Sequence, residues 1–291
     1  MPPVELRRVR DPLANVPTPQ PRGTVADSFA LLDPARTAVI TGAGVSTDSG
    51  IPDYRSPGSP PRSPMTGQAF RASDANRQLY WARAYVGWER YQLFRPNSIH
   101  RDLAALIPGP VITQNVDGLH SEAGSRSVVE LHGSLHRVIC LSCGRVYTRG
   151  WTQLALAELN PGFLATANVT PIDVETNPDG DVELAKVDGF RVPNCPACGG
   201  LLKPDVVYFG ESVRPEVASA AEHAIEDADA VLVLGSSLAV HSALRLVRQA
   251  VRAGTPAVIV TDGPTRADDL ATVRVVDRVA PYVTAWRHAV T

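Results

Sequence analysis

The sequence predicts an α/β fold, a doubly wound parallel sheet with helices on both faces. Two observations carry that expectation. Short apolar runs that end in glycine or polar residues alternate with stretches of helical composition, and two close cysteine pairs bracket a segment where the alternation stops. At 291 residues, 44% apolar and 20% charged, the chain is long enough for one large core and a smaller satellite domain.

Taken in order, residues 1–25 are proline-rich and read as a flexible arm. Helical composition over Ser28–Leu32 precedes the apolar run Thr37–Thr41, which stops at Gly42-Ala43-Gly44. Strand, glycine turn and polar residues able to open a helix make the start of a Rossmann-like nucleotide-binding unit. Ile51–Ala75, rich in Pro, Ser, Gly and Arg, predicts a loop. Asn76–Leu93 predicts a helix whose aromatics (Tyr80, Trp81, Tyr85, Trp88 and Tyr91) are expected in a core rather than on a ligand. Val111–Thr113 and Val128–Leu131 predict buried strands ending at Gln114-Asn115 and His132-Gly133. After the bracketed insert come a helix near Pro215–Ala228, the strand Ala230–Leu234, the turn Gly235-Ser236-Ser237 and a helix over His241–Ala253. The strand Ala257–Val260 and the turn Thr261-Asp262-Gly263 follow. Each predicted strand ends in small or polar residues, where ligands sit in open α/β sheets.

Cys140-Leu-Ser-Cys143 and Cys195-Pro-Ala-Cys198 are two C-x-x-C knuckles, each followed by a glycine that suits a tight turn. Each knuckle aims two thiolates at one point, and together they complete a closed tetrahedron around zinc. Four protein ligands leave no position for water, so the metal is expected to be structural. The expected organisation is a Rossmann-like domain over 26–139 and 199–291, with a small zinc-binding domain inserted at 140–198 and part of 55–95 forming a cofactor loop and helical segment.

A net charge of −2 with scattered basic residues argues against nucleic acid as a partner. No apolar run approaches the ~18–20 residues needed to span a bilayer, so no membrane partner is expected. The N-terminus lacks the apolar stretch of a signal peptide. Cysteines paired for metal and heavy Arg, Ala, Val and Pro usage suggest a bacterial cytoplasm, with a mitochondrial transit peptide as the alternative.

Alone, Gly42-Ala43-Gly44 is as compatible with a structural turn as with nucleotide binding, because the third glycine of the dinucleotide fingerprint is missing. Three polar clusters at strand ends shift that balance: Thr47–Ser56, Gln114–His120 and Gly235-Ser236-Ser237. Taken together, GAGVSTDSGIPDYRS, TQNVDGLH, ELHG, the two C-x-x-C pairs, LKPDVVYFGE and LGSSLAV occur in the order found in sirtuins, and the chain resembles that family over roughly residues 25–290. IPDYRS, WAR-x-x-VGW and GPTRADD are similar to its class II branch.

The resemblance implies an enzyme that uses NAD to remove acyl groups from protein lysines, releasing nicotinamide and O-acyl-ADP-ribose. It implies His132, the histidine of the L-H-G sequence, as the base in preference to His120 and His136, and a neutral imidazole is available for that role near neutral pH. Asn115 and Asp117 match catalytic positions beside nicotinamide. Gln114 matches a ribose contact, with Val116 packed between. Gly42, Ala43, Gly44, Ser46, Asp53, Tyr54 and Arg55 match the cofactor loop, and Gly235, Ser236 and Ser237 match a phosphate turn. Thr261, where the family often has Asn, is followed by Asp262 and Gly263 at the adenosine ribose, and Val279 matches an adenine contact. Val206–Glu211 matches the strand that pairs with an acyl-lysine peptide, the implied partner. Members that remove acidic acyl groups carry Tyr and Arg one turn apart; aligned on Trp81 those positions are Ala84 and Gly87, whereas Tyr80 and Arg83 share the spacing in a shifted alignment.

Other classes remain as alternatives. Mono-ADP-ribosyl transfer to protein shares the first bond cleavage. A zinc-ribbon nucleic-acid module would need a basic, aromatic face, and a zinc dehydrogenase would need an open metal position and a fuller glycine fingerprint.

Overall fold

The computed structural model describes residues 12–13, 16–54, 64–167, 170, 172, 174–184 and 187–291. In chain order the elements are α1 (Val25–Phe29), β1 (Thr37–Thr41), α2 (Gly67–Ala72), α3 (Asp74–Tyr91), α4 (Ser98–Leu106), β2 (Pro110–Thr113), α5 (Leu119–Glu122) and β3 (Ser127–Glu130). There follow β4 (Gly133–Cys140), β5 (Val146–Thr148), α6 (Arg149–Leu159), α7 (Phe163–Thr166) and β6 (Leu202–Val206). The chain closes with α8 (Pro215–Glu226), β7 (Ala230–Leu234), α9 (His241–Arg252), β8 (Ala257–Val260), β9 (Val273–Val275) and α10 (Val279–Val290). Among the described residues one unit takes 12–54, 95–132 and 213–291, and the other takes 64–94 and 133–212.

The first unit is built on a six-stranded sheet in the order β3-β2-β1-β7-β8-β9, every pairing parallel. Alternation along each strand sorts its side chains. Val39, Val111, Leu232, Leu234 and Val258 face α4 and α10, while Ile40, Ile112, Val231, Val233 and Ile259 face α8 and α9. Both faces are covered, which is why these strands are unbroken apolar runs. The order reverses direction at β1 and β7, and the crevice above their C-terminal ends is the topological switch point where open α/β sheets take ligands.

The expected arm is shorter than the sequence suggested. Residues 1–11 and 14–15 lie outside the described residues, but Arg22 bridges β9, its N–H donating to the Arg274 carbonyl at 3.0 Å and its carbonyl accepting from Arg274 N at 2.8 Å. Thr24 then opens α1 with a capping box: its Oγ1 accepts from Asp27 N at 3.1 Å, and Asp27 Oδ2 accepts from Thr24 N at 2.7 Å.

The second unit holds a three-stranded antiparallel sheet in the order β5-β4-β6. Residues 133–139 and 199–206, read from sequence as part of the Rossmann-like domain, belong here: an antiparallel partner far along the chain leaves no periodicity to read. The stretch 51–75, expected as loop, contains α2. Thr66 caps it through Ala69 N at 3.1 Å, and Phe70 is drawn wholly into the core. The aromatics of α3 are core residues, as expected: Tyr80, Trp81 and Tyr85 are buried with Phe70, Phe190 and Tyr208. No helix among the described residues is long and apolar enough to cross a membrane.

Candidate active site and metal centre

The two glycine turns at the switch point touch backbone to backbone. Gly42 N donates to the Leu234 carbonyl at 3.0 Å and Gly44 N to the Gly235 carbonyl at 2.9 Å. A methyl group on Gly42 would lie 2.7 Å from Ser236 Cβ, and one on Gly44 2.9 Å from Gly235 Cα. Gly235 itself has φ +57. These glycines are required because the turns leave no room for a Cβ. The first turn places Ala43 at its tip; the second ends at Leu238, whose φ of 51 is strained for a branched side chain. Leu238 is held there by full burial and by its N–H donating to Ser236 Oγ at 3.1 Å.

The loop after β2 meets both turns. Gln114 Nε2 donates to Ser236 Oγ at 2.7 Å and to the Thr41 carbonyl at 3.2 Å. Asn115 Nδ2 donates to the Gly42 carbonyl and to Ser46 Oγ, each at 3.0 Å, so its amide hydrogens hold the glycine turn while Oδ1 remains an acceptor. Ser46 Oγ donates to Asp117 Oδ2 at 2.6 Å, and Asp117 Oδ1 accepts from Leu119 N at 2.9 Å. Asp117 is buried and Val116 half-buried beside it. The structure therefore brings together Gly42, Ala43, Gly44, Ser46, Gln114, Asn115, Val116, Asp117, Gly235, Ser236 and Ser237 at one sheet edge.

His132 follows β3 and stands over the same loop. Its Nδ1 lies 2.9 Å from the Gln114 backbone carbonyl and its Nε2 lies 2.8 Å from Ser242 Oγ. A carbonyl only accepts, so Nδ1 carries the hydrogen and the lone pair of the neutral ring is at Nε2. Burial, partly opposed by the Gln114 carbonyl, pulls the imidazole below its usual pKa, so the ring is neutral at physiological pH.

The competing histidines are placed differently. His136 lies in the other unit, exposed and edge-on to Trp88 at 5.3 Å. His120 is buried; its Nε2 is 3.0 Å from Thr41 Oγ1, which itself donates to Thr113, so Nε2–H donates and the buried Nδ1 has no partner. The His120 ring faces that of buried His100 at 4.8 Å. Burial holds His120 down at about 4, and burial followed by the charge of His120 holds His100 down at about 3.

Both values lie below the ordinary 6.5 of an unfolded histidine, so the unfolded chain takes up protons first and stability falls as pH drops through 6.5, the loss ending near the folded values. At 1.36 kcal/mol per pH unit, each ring is expected to cost about 2 kcal/mol between pH 6.5 and 5. Urea unfolding at the two pH values measures this, and His120→Gln is expected to remove about half the slope. An unchanged slope in that variant contradicts the assignment.

The far end of the sheet is braced by a residue that sequence reasoning missed. Buried Arg274 in β9 donates through Nη1 to the Thr261 carbonyl at 2.8 Å and through Nη2 to the Gly263 carbonyl at 2.6 Å, and its Nε meets Asp268 at 2.7 Å. It shapes the Thr261-Asp262-Gly263 turn; an arginine inside an apolar strand was the available signal. Val279 opens α10 with its side chain in the core beside Tyr282 and Val283. Asp53 and Tyr54 are half-buried, and Arg55, with the expected Asp53–Arg55 pair, lies outside the described residues.

In the other unit the four cysteines converge. Their Sγ atoms all lie within 4.8 Å of one another, with Cys140–Cys198 at 3.5 Å and Cys143–Cys195 at 3.8 Å. A tetrahedron with Zn–S bonds of ~2.3 Å has edges of ~3.8 Å, so the spacing and the donor set both fit zinc. Tyr147 Oη lies 3.0 Å from Cys195 Sγ and donates to it, an outer contact that the sequence did not mark.

A Sir2 family model matches residues 42–242 of this chain. The chain belongs to the Sir2 family. This sirtuin is 51% identical over 258 residues to NAD-dependent protein deacetylase 1 of Mycobacterium avium (strain 104), covering 87% of this chain and 91% of that one. It is 49% identical over 255 residues to NAD-dependent protein deacetylase 1 of Streptomyces coelicolor (strain ATCC BAA-471 / A3(2) / M145), covering 84% and 83%. A solved Sir2 in complex with a p53 peptide and NAD+ superposes with a TM-score of 0.68 at 29% identity, covering 92% of this chain and 98% of that one.

The residues of this sirtuin's crevice also fit a dinucleotide: with their amide hydrogens spent on the two glycine turns, Gln114 and Asn115 keep side-chain acceptor oxygens beside them.

Proposed function

We propose that this sirtuin is an NAD-dependent protein lysine deacylase of the class II branch, with His132 as its general base. The single observation that carries this is the tautomer of His132, whose Nδ1–H is held by the Gln114 carbonyl so that the ring's lone pair is on Nε2, 2.8 Å from Ser242 Oγ. When bound, NAD supplies the ribose carbon released by nicotinamide departure and the hydroxyl that takes the acyl group. The chain's own residues bind and orient it. Asp117, ordered by Ser46 and Leu119 N, accepts from the nicotinamide carboxamide, and Asn115 Oδ1 orders water. Gln114 reaches the ribose. Gly42, Ala43, Gly44, Gly235, Ser236 and Ser237 cradle phosphate, and Asp53, Tyr54 and Arg55 belong to the cofactor loop by their match to the family. Thr261, Asp262, Gly263 and Val279 take the adenosine end.

Acyl-lysine proteins or peptides are the partner class. The segment assigned to them differs from the sequence reading: β6 stops at Val206, and Tyr208–Glu211 turns, with Glu211 N donating to the Tyr208 carbonyl at 2.9 Å. The turn is clamped by Lys203 Nζ, 3.0 Å from Glu211 Oε2. β6 remains an edge strand of its sheet, which supports pairing with an extended peptide. Neutral acyl groups are favoured. Ala84 and Gly87 offer no cation, and Arg83 is already engaged by Asp181 at 3.1 Å and by Glu183.

The test is a panel of acetyl, propionyl, lipoyl, long-chain and succinyl lysine peptides, scored for nicotinamide release. Release only with acyl-lysine present, and weakest with succinyl, is expected. Label transfer from NAD to protein without acyl-lysine would favour ADP-ribosyl transfer instead.

A further inference from the structure

Ser242 is the second residue of α9, a 12-residue helix that begins without a side-chain cap. Its Oγ lies 2.8 Å from His132 Nε2. With Nδ1–H engaged by the Gln114 carbonyl, the serine hydroxyl donates to Nε2 of the neutral ring. Once Nε2 is protonated the same hydroxyl turns and accepts from Nε2–H. The second arrangement is charge-assisted and about twice as strong as the first. We propose that Ser242 is the positioning residue of the base: it clamps the end of the imidazole that Gln114 does not hold, and it accepts from Nε2–H after the ring has taken a proton. This rests on the reading of His132 as base.

The proton balance is simple. The Ser242 hydroxyl first turns its hydrogen off Nε2; the freed lone pair then takes the proton of a substrate hydroxyl, whose oxygen keeps the electron pair of the broken O–H bond, and Ser242 keeps its own hydrogen throughout. A backbone carbonyl at Nδ1 alone leaves the ring free to tilt about that contact; the second contact removes this freedom. The titratable and charged groups on these elements are Glu130 of β3, Asp117 of the loop after β2, and His241, Arg245, Arg248 and Arg252 of α9. None is among the causes acting on His132, which are burial and then the Gln114 carbonyl.

Because Ser242 stabilises the imidazolium more than the neutral ring, its removal lowers the pKa of His132. The test uses the full zinc-loaded chain with Ser242→Ala and Ser242→Thr, following the His132 ring by NMR titration without substrate. The Ala variant is expected to titrate about half to one pH unit lower than wild type, with the acidic limb of kcat/KM moving the same way, and Thr to restore both. A titration midpoint unmoved in Ala, or moved equally in Ala and Thr, overturns the proposal. Failure of the base assignment reads out separately, as deacylation that survives His132→Ala.

Discussion

His132→Ala is expected to lower kcat/KM for deacylation by about 10²–10⁴-fold, the usual contribution of a positioned general base. The expectation follows from how specifically the ring is prepared. One nitrogen is fixed by a backbone carbonyl, the other carries the lone pair, and burial keeps the ring neutral. Neither competing histidine is placed for the role: His120 is buried behind Thr41 with its ring tilted against that of His100, and His136 belongs to the other unit. His132 is half-buried and bonds to a loop carbonyl and to half-buried Ser242 rather than to core groups, so melting temperature and zinc content are expected to stay near wild type. A variant that keeps the full rate removes His132 from the chemistry.

Cys195→Ser is expected to lose the metal and the fold of its unit together. Serine offers a hydroxyl that stays protonated where zinc needs a thiolate, leaving three ligands for a four-coordinate site. Zinc-dependent folding energy in small metal domains is about 10–16 kcal/mol, more than a domain of this kind holds in reserve. Cys195 and Cys140 are also buried among Trp81, Leu156, Phe190 and Leu202, so the metal pins the same core that the aromatic helix fills. Zinc well below one per chain by elemental analysis, with a lowered melting temperature or insoluble protein, is the expected result. Chelator titration of the wild-type chain gives the same answer without a variant: one zinc released, with unfolding. A Cys195→Ser protein that holds one zinc per chain and melts like wild type contradicts it.

How much was legible depended on the range of the interaction. Thr37–Thr41, Ala230–Leu234 and Ala257–Val260 were read residue for residue because a strand covered on both faces must be continuously apolar. The cysteine knuckles were legible because ligand spacing is a local constraint. The antiparallel pairing of β4 with β6 was not, since its partners lie far apart in the chain, from Cys140 with Leu202 to Gly133 with Val206. Neither was α2, whose driving force is the burial of Phe70 rather than any periodicity.

By itself the sequence determined five strands of the parallel sheet, the converging cysteine pairs, the polar clusters at the strand ends and, through several ordered motifs, the family. Only the tertiary structure decided which histidine lies between the Gln114 carbonyl and Ser242, that the glycines of two turns are required by each other, and that Arg274 braces the Thr261-Asp262-Gly263 turn. These depend on groups brought within 3 Å from distant parts of the chain. Hydrogen-bond direction and burial are properties of that proximity, and no local pattern in the sequence encodes them.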